Sequence, residues 1–194
     1  MAMLIGPGGL HEDNCGTWDY TPNVDLQEPA YRAQWFAQQV DRLLVLLGDF
    51  AEVDFVEVHA ADSEVEWEWK PSETLDGLLS EIRSKDQVLS VVVWLSLSLT
   101  TGEAEHLLSA GVVRFVVYED PFGHEVSVRL DTHAYAGRPG LPAKAVQVNH
   151  ARLAAFLRRI ESGLDVRFNY CESQAFPDRI HRLGYHPAHP LAAS

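Results

Sequence analysis

A chain of 194 residues with 46% hydrophobic and 22% charged residues carries enough apolar side chains for one substantial core, which excludes disorder for most of its length. Its formal net charge of −13 is unevenly placed: residues 1–135 hold 24 of the 28 acidic and 7 of the 15 basic residues. The acidic two thirds repel nucleic acid and anionic lipid and attract cationic partners, whereas residues 136–194 are mildly basic.

Residues 1–28 are rich in Gly, Pro, Asp and Asn. They read as an irregular lead-in with one short strand near Leu4. Met1–Gly6 has no basic segment and too short an apolar stretch for a secretory signal, so the expected compartment is the cytoplasm. A first helix begins at Glu28-Pro29, with proline in its first turn. Phe36, Val40, Leu43, Leu44 and Leu47 then fall on one face, and Gly48 supplies a stop. Val53–Ala60 and Glu64–Trp69 read as a hairpin joined at Ala61-Asp62-Ser63. The second strand alternates strictly, with Glu64, Glu66 and Glu68 on one face and Val65, Trp67 and Trp69 on the other. Ser72 caps a second helix carrying Leu75, Leu78, Leu79 and Ile82.

Val88–Leu99 is the strongest strand signal. Ser90, Ser96 and Ser98 interrupt it, and it falls short of the ~20 apolar residues of a membrane span. Its second face, apolar in the middle around Val92 and Trp94, suggests a central strand covered on both sides near its start. A short helical or turn segment is expected around Gly102–Ala110. A strand at Val112–Tyr118 follows, then a turn at Asp120-Pro121-Phe122-Gly123 and a return strand Glu125–His133. The polar face of that strand carries Glu125, Ser127, Arg129, Asp131 and His133. After a Pro/Gly loop at 137–142, Asn149 is placed to cap a third helix bearing Leu153, Phe156, Leu157 and Ile160. A last strand at Asp165–Cys171, a helical turn near Asp178–Leu183 and a tail from residue 186 complete the reading. Strands joined by tight turns predict an α+β fold: a largely antiparallel sheet with about three main helices packed on it, as a single layered domain over residues 29–185.

Chemistry is less legible than architecture. Three glutamates on one strand face, with Asp62 and the neighbouring Glu57, form a concentrated negative patch whose members repel one another. They are the expected contacts for a basic protein, with Trp18 or Tyr20 as aromatic anchors. Carboxylates alone also hold divalent metal, or the face is plain solvated surface. Asp131 and His133, two apart on a strand, are the alternative: a carboxylate orienting an imidazole, or two metal ligands awaiting a third from His124 or His59. Cys15 and Cys171 lack a redox or zinc spacing, and Glu12 and Asp13 disfavour a thiolate at Cys15. His181, His186 and His189 lack the helical spacing of a zinc site. Gly6-Pro7-Gly8-Gly9 matches no phosphate or dinucleotide loop, and no hydrolase serine elbow occurs. Arg152, Arg158, Arg159 and Arg167 form a basic end too small to bind nucleic acid against the acidic field. Opposite patches on one molecule can pair head to tail or support a homodimer.

In size, acidity and α+β character, though not in any motif, the chain resembles the immunity proteins that inhibit bacterial toxins. That resemblance implies a cytoplasmic, non-enzymatic, cofactor-free protein that captures or neutralises a basic partner. The competing expectation is a metal-dependent or acid/base enzyme using Asp131 and His133.

Overall fold

The computed structural model describes residues 15–24, 29–61, 67–85, 87–101, 105–118, 124–131 and 141–186. In chain order the elements are β1 (Cys15–Pro22), α1 (Pro29–Leu47), β2 (Ala51–Ala60), β3 (Trp67–Trp69), α2 (Leu75–Ser84), β4 (Val88–Thr100) and β5 (Glu105–Val117). β6 (His124–Asp131), α3 (Ala143–Gly163), β7 (Val166–Ser173) and a small hairpin, β8 (Ile180–His181) with β9 (Gly184–Tyr185), follow. Seven strands form one sheet in the order β3-β2-β4-β5-β6-β1-β7, and every pairing is antiparallel. The three helices pack on this sheet, giving the α+β layered domain that the hairpins predict.

Alternation decides which strand residues meet the helices. In β4, Val91, Val93, Leu95, Leu97 and Leu99 belong to the core, as do Val113, Phe115 and Val117 of β5 and Val126, Val128 and Leu130 of β6. Phe36, Val40, Leu43 and Leu47 of α1, Leu78, Leu79 and Ile82 of α2, and Leu153, Phe156, Leu157 and Ile160 of α3 supply the facing layer. Phe50, just after α1, stacks on Phe156 at 4.1 Å between ring centroids. Gly48 ends α1 at φ +53°, a left-handed conformation that glycine adopts without steric cost.

Several elements differ from the expectation. The stretch read as an irregular lead-in contains β1, seated between β6 and β7. Its inward positions are Gly16, Trp18 and Tyr20, so only two large apolar side chains announce it. Both aromatics proposed as exposed anchors are core residues, Trp18 at 0% and Tyr20 at 1% exposure. Gly16 has a steric reason: a Cβ there would stand 1.8 Å from the Tyr185 hydroxyl. The segment expected to be a turn at Gly102–Ala110 instead contributes Glu105–Ala110 to β5, extending the pairing with β4 to Thr100↔Glu105.

Helix starts also move. Thr74, not Ser72, caps α2, its hydroxyl accepting from the Gly77 amide at 3.2 Å. α3 begins at Ala143, six residues before Asn149. Asn149 is buried within the helix and clamps the end of β4: its Oδ1 accepts from the Thr100 amide at 3.0 Å and its Nδ2 donates to the Thr100 carbonyl at 3.1 Å. A side chain able to cap a helix is equally able to pair with a strand backbone, and here the second use prevails. The helical turn expected near Asp178–Leu183 is the β8–β9 hairpin, anchored where the Trp18 indole donates to the His181 carbonyl at 2.9 Å. No helix among the described residues is long and apolar enough to cross a membrane.

Candidate functional site: the sheet face opposite the helices

The side chains between the inward positions point to the opposite face, against which no described helix packs. The strand registers align them in cross-strand rows. One row runs Glu68, Glu57, Val92, Arg114, Ser127, Asp19 and Tyr170 across all seven strands. A second runs Phe55, Trp94, Val112, Arg129, Thr17 and Glu172, and a third His59, Ser90, Val116 and Glu125.

Two adjoining cavities lie on this face. A single cavity of about 580 Å³ touches Trp94 on β4 and Glu172 on β7, four strands apart, which in a flat sheet would be roughly 19 Å. A second cavity of about 630 Å³ shares Trp94, Val112 and Arg129 with it. Ser90, Val92, Val112 and Val116 on this face are buried, although none of the described helices packs against it. Near its start β4 is thus a central strand buried on both faces, as its residues suggest.

One margin of the trough is acidic. Glu57 and Glu68 stand directly opposite each other on β2 and β3, as the alternation of Glu68 with Trp67 and Trp69 requires. The Trp94 indole donates to Glu57 Oε2 at 2.9 Å, and the Ser96 hydroxyl donates to Asp54 Oδ1 at 2.7 Å. Trp94 in turn stacks on Phe55 at 5.4 Å. Lys70 Nζ lies 3.0 Å from Glu68 Oε1, and His59 Nε2 lies 3.9 Å from Glu57 Oε2. Two carboxylates of β2 are thus fixed by donors from β4 and held ready rather than free to collapse onto neighbours. Asp62, Glu64 and Glu66, the other expected contacts, lie outside the described residues.

The centre of the trough holds compensating charges. Burial, and next the nearby Asp19, raise the Glu125 carboxyl above its usual range, while Arg129, Arg114 and a hydrogen bond from the Tyr118 hydroxyl oppose the shift. Asp19 is 2% exposed, and its carboxylate beside the Tyr170 hydroxyl, together with burial, pushes that phenol above its usual range. Asp19, Arg114 and Tyr170 were not singled out from sequence. The missed signal was the outward alternation Thr17, Asp19, Thr21, visible only once 15–22 is read as a strand.

The alternative constellation does not converge on one point. His124 and Asp131 are the two ends of β6, roughly 23 Å apart along a strand, and His59 lies three strands from β6. The Asp131 side chain and His133 lie outside the described residues. Among the described residues no group of three or more His, Cys, Asp or Glu side chains is placed to hold a metal ion. The basic end is dispersed as well. Arg152 pairs with Glu105, Arg159 approaches Asp49 at 3.8 Å, and Arg167 stands on β7. Burial raises the Cys171 thiol, away from the thiolate a nucleophile needs.

No protein-family model matches the chain, and neither a curated protein nor a solved structure matches it.

Proposed function

We propose that this is a non-enzymatic binding protein whose sheet face opposite the helices captures a basic protein and neutralises it, in the manner of an immunity protein acting on a toxin. The observation that carries the reading is the acidic margin, where Glu57 and Asp54 are anchored by Trp94 and Ser96. Glu68 stands opposite Glu57 on the same face, away from the described helices. Opposed like charges weaken a sheet, and a cationic partner removes that cost on binding. The net charge of −13 adds long-range steering, which raises the capture rate and rejects acidic competitors. Trp94, with its indole already oriented, is the natural aromatic anchor at the boundary between margin and trough.

The test is a retention experiment on the immobilised full chain with native lysate at low salt. The wild type should hold a basic protein that elutes as salt rises, and a Glu57→Lys/Glu68→Lys variant should lose it. Retention of nothing basic, or equal retention by both chains, overturns the proposal. Extending the reversal to Glu64 and Glu66 tests whether the patch continues along the same alternation.

A further inference from the structure

The sheet has two edges, and they are not alike. Among the described residues β3 presents three, whereas β7 presents eight. β7 pairs only with β1, and over residues 167–172 its outer backbone edge makes no hydrogen bond among the described residues. Arg167, Asn169, Tyr170 and Glu172 are exposed along it. An open edge of this length is a pairing surface unless something opposes pairing.

We propose that this edge pairs antiparallel with β7 of a second copy of the chain, about a two-fold axis. The charges on the strand choose the register. Arg167 stands opposite Thr21 and Glu172 opposite Thr17, with a bulge between. Without the bulge, residues five apart would point to opposite faces. With it, Arg167 and Glu172 share the face opposite the described helices. An isologous pairing that sets Arg167 against Glu172 of the second copy sets Glu172 against Arg167 by the same symmetry, and Phe168 against Cys171. Registers that bring like charges opposite each other are repelled, so the pattern that would discourage indiscriminate edge pairing leaves one arrangement favoured.

Long-range charge points the same way. A chain at −13 repels its copies, but residues 136–194 hold 8 of the basic and 4 of the acidic residues. β7 lies in that segment, at the far end of the sheet from the acidic β2–β3 margin. Pairing there joins two sheets into one of fourteen strands and leaves both acidic margins at its outer ends. An edge contact of eight residues is smaller than a standard interface, so the dimer is expected to be weak, with a Kd of roughly micromolar order.

Sedimentation velocity of the full chain over a concentration series tests this. The wild type should move from monomer toward dimer. Arg167→Glu and Glu172→Arg should each raise the Kd on the order of tenfold or more, because both symmetric pairs become repulsive. The double variant R167E/E172R should restore the wild-type behaviour. Both side chains are exposed, and near-ultraviolet circular dichroism checks that each variant retains its packing. A monomer at every soluble concentration, or a dimer indifferent to the single variants, overturns the proposal. Amide exchange offers a second measurement, since β7 amides should exchange more slowly as concentration rises and a concentration-independent rate also overturns it. The margin variant E57K/E68K should dimerise normally, which separates this result from any failure of partner capture.

Discussion

Single residues in this molecule act mainly through what they stop their neighbours from doing. Asn149 satisfies both backbone groups of Thr100 where α3 crosses the end of β4. Asn149→Ala should lower stability by about 1–3 kcal/mol, because the Thr100 amide and carbonyl would be left without those bonds in a half-buried place. A shift in the urea midpoint at unchanged slope checks it. Glu125 gives a pH-dependent case. Its proton is held more tightly in the folded chain than at the ordinary carboxyl value of 4.5, so the folded state binds more protons than the unfolded state just above that value. Its contribution is therefore greatest in acid and is lost as pH rises through the folded value. Glu125→Gln should abolish this component. Its denaturation midpoint should gain on the wild type between pH 4.5 and neutrality, and a wild-type-like pH profile would refute the assignment.

Elements were legible in proportion to the regularity of their apolar pattern. The spacing of Phe36, Val40, Leu43 and Leu47 predicts α1, and the run from Val91 to Leu99 predicts β4, because both place every core residue on one geometric face. β1 escapes the same logic. Gly16 contributes no hydrophobic signal, and Asp19 interrupts the outer face with a polar side chain whose neighbours in the sheet, Ser127 and Tyr170, lie more than a hundred residues later. Substituting Gly16 by Ala should therefore do more than lower β-propensity. The clash with Tyr185 should cost roughly 1–3 kcal/mol and loosen the β8–β9 hairpin first. The hairpin has its own acid weakness. Burial, then His186, depress the His181 imidazole below 6.5, while its Nδ1 accepts from the Leu183 amide at 3.3 Å. The unfolded hairpin takes up the proton first, so its stability falls as pH drops through 6.5. Faster exchange of the Leu183 amide on acidification, absent in His181→Gln, is the expected result.

At the scale of the whole molecule, the layered fold could be read from one sequence but the functional face could not. Alternation tells which residues share a side of a strand. It does not tell that β1 enters between β6 and β7, or that Trp94 and Glu172 border one cavity. Glu57 and Glu68 could be placed together because a hairpin is local. Asp19, Arg114 and Tyr170 could not, because their proximity depends on pairings across the chain. The charge asymmetry acquires a spatial meaning only here: the acidic margin and the basic-segment strand are opposite ends of one sheet.

The seat of β1 also fixes an order of events. Trp18 pairs with Cys171, and Cys15 with Asp131, so β1, the earliest of the described strands, has no strand neighbour among them until more than a hundred further residues have been made. Closing such distant pairings is slow, and β7 has no other strand to join in the meantime. A chain lacking β1 should consequently retain the meander of β4, β5 and β6 yet leave its final strand adrift. A synthetic peptide covering residues 12–24 supplied in trans should then complete it, with recovery of Trp18 burial as the signal. In that sense the sheet is built with a slot that β1 fills only once β6 has been made, and β7 is fitted after it.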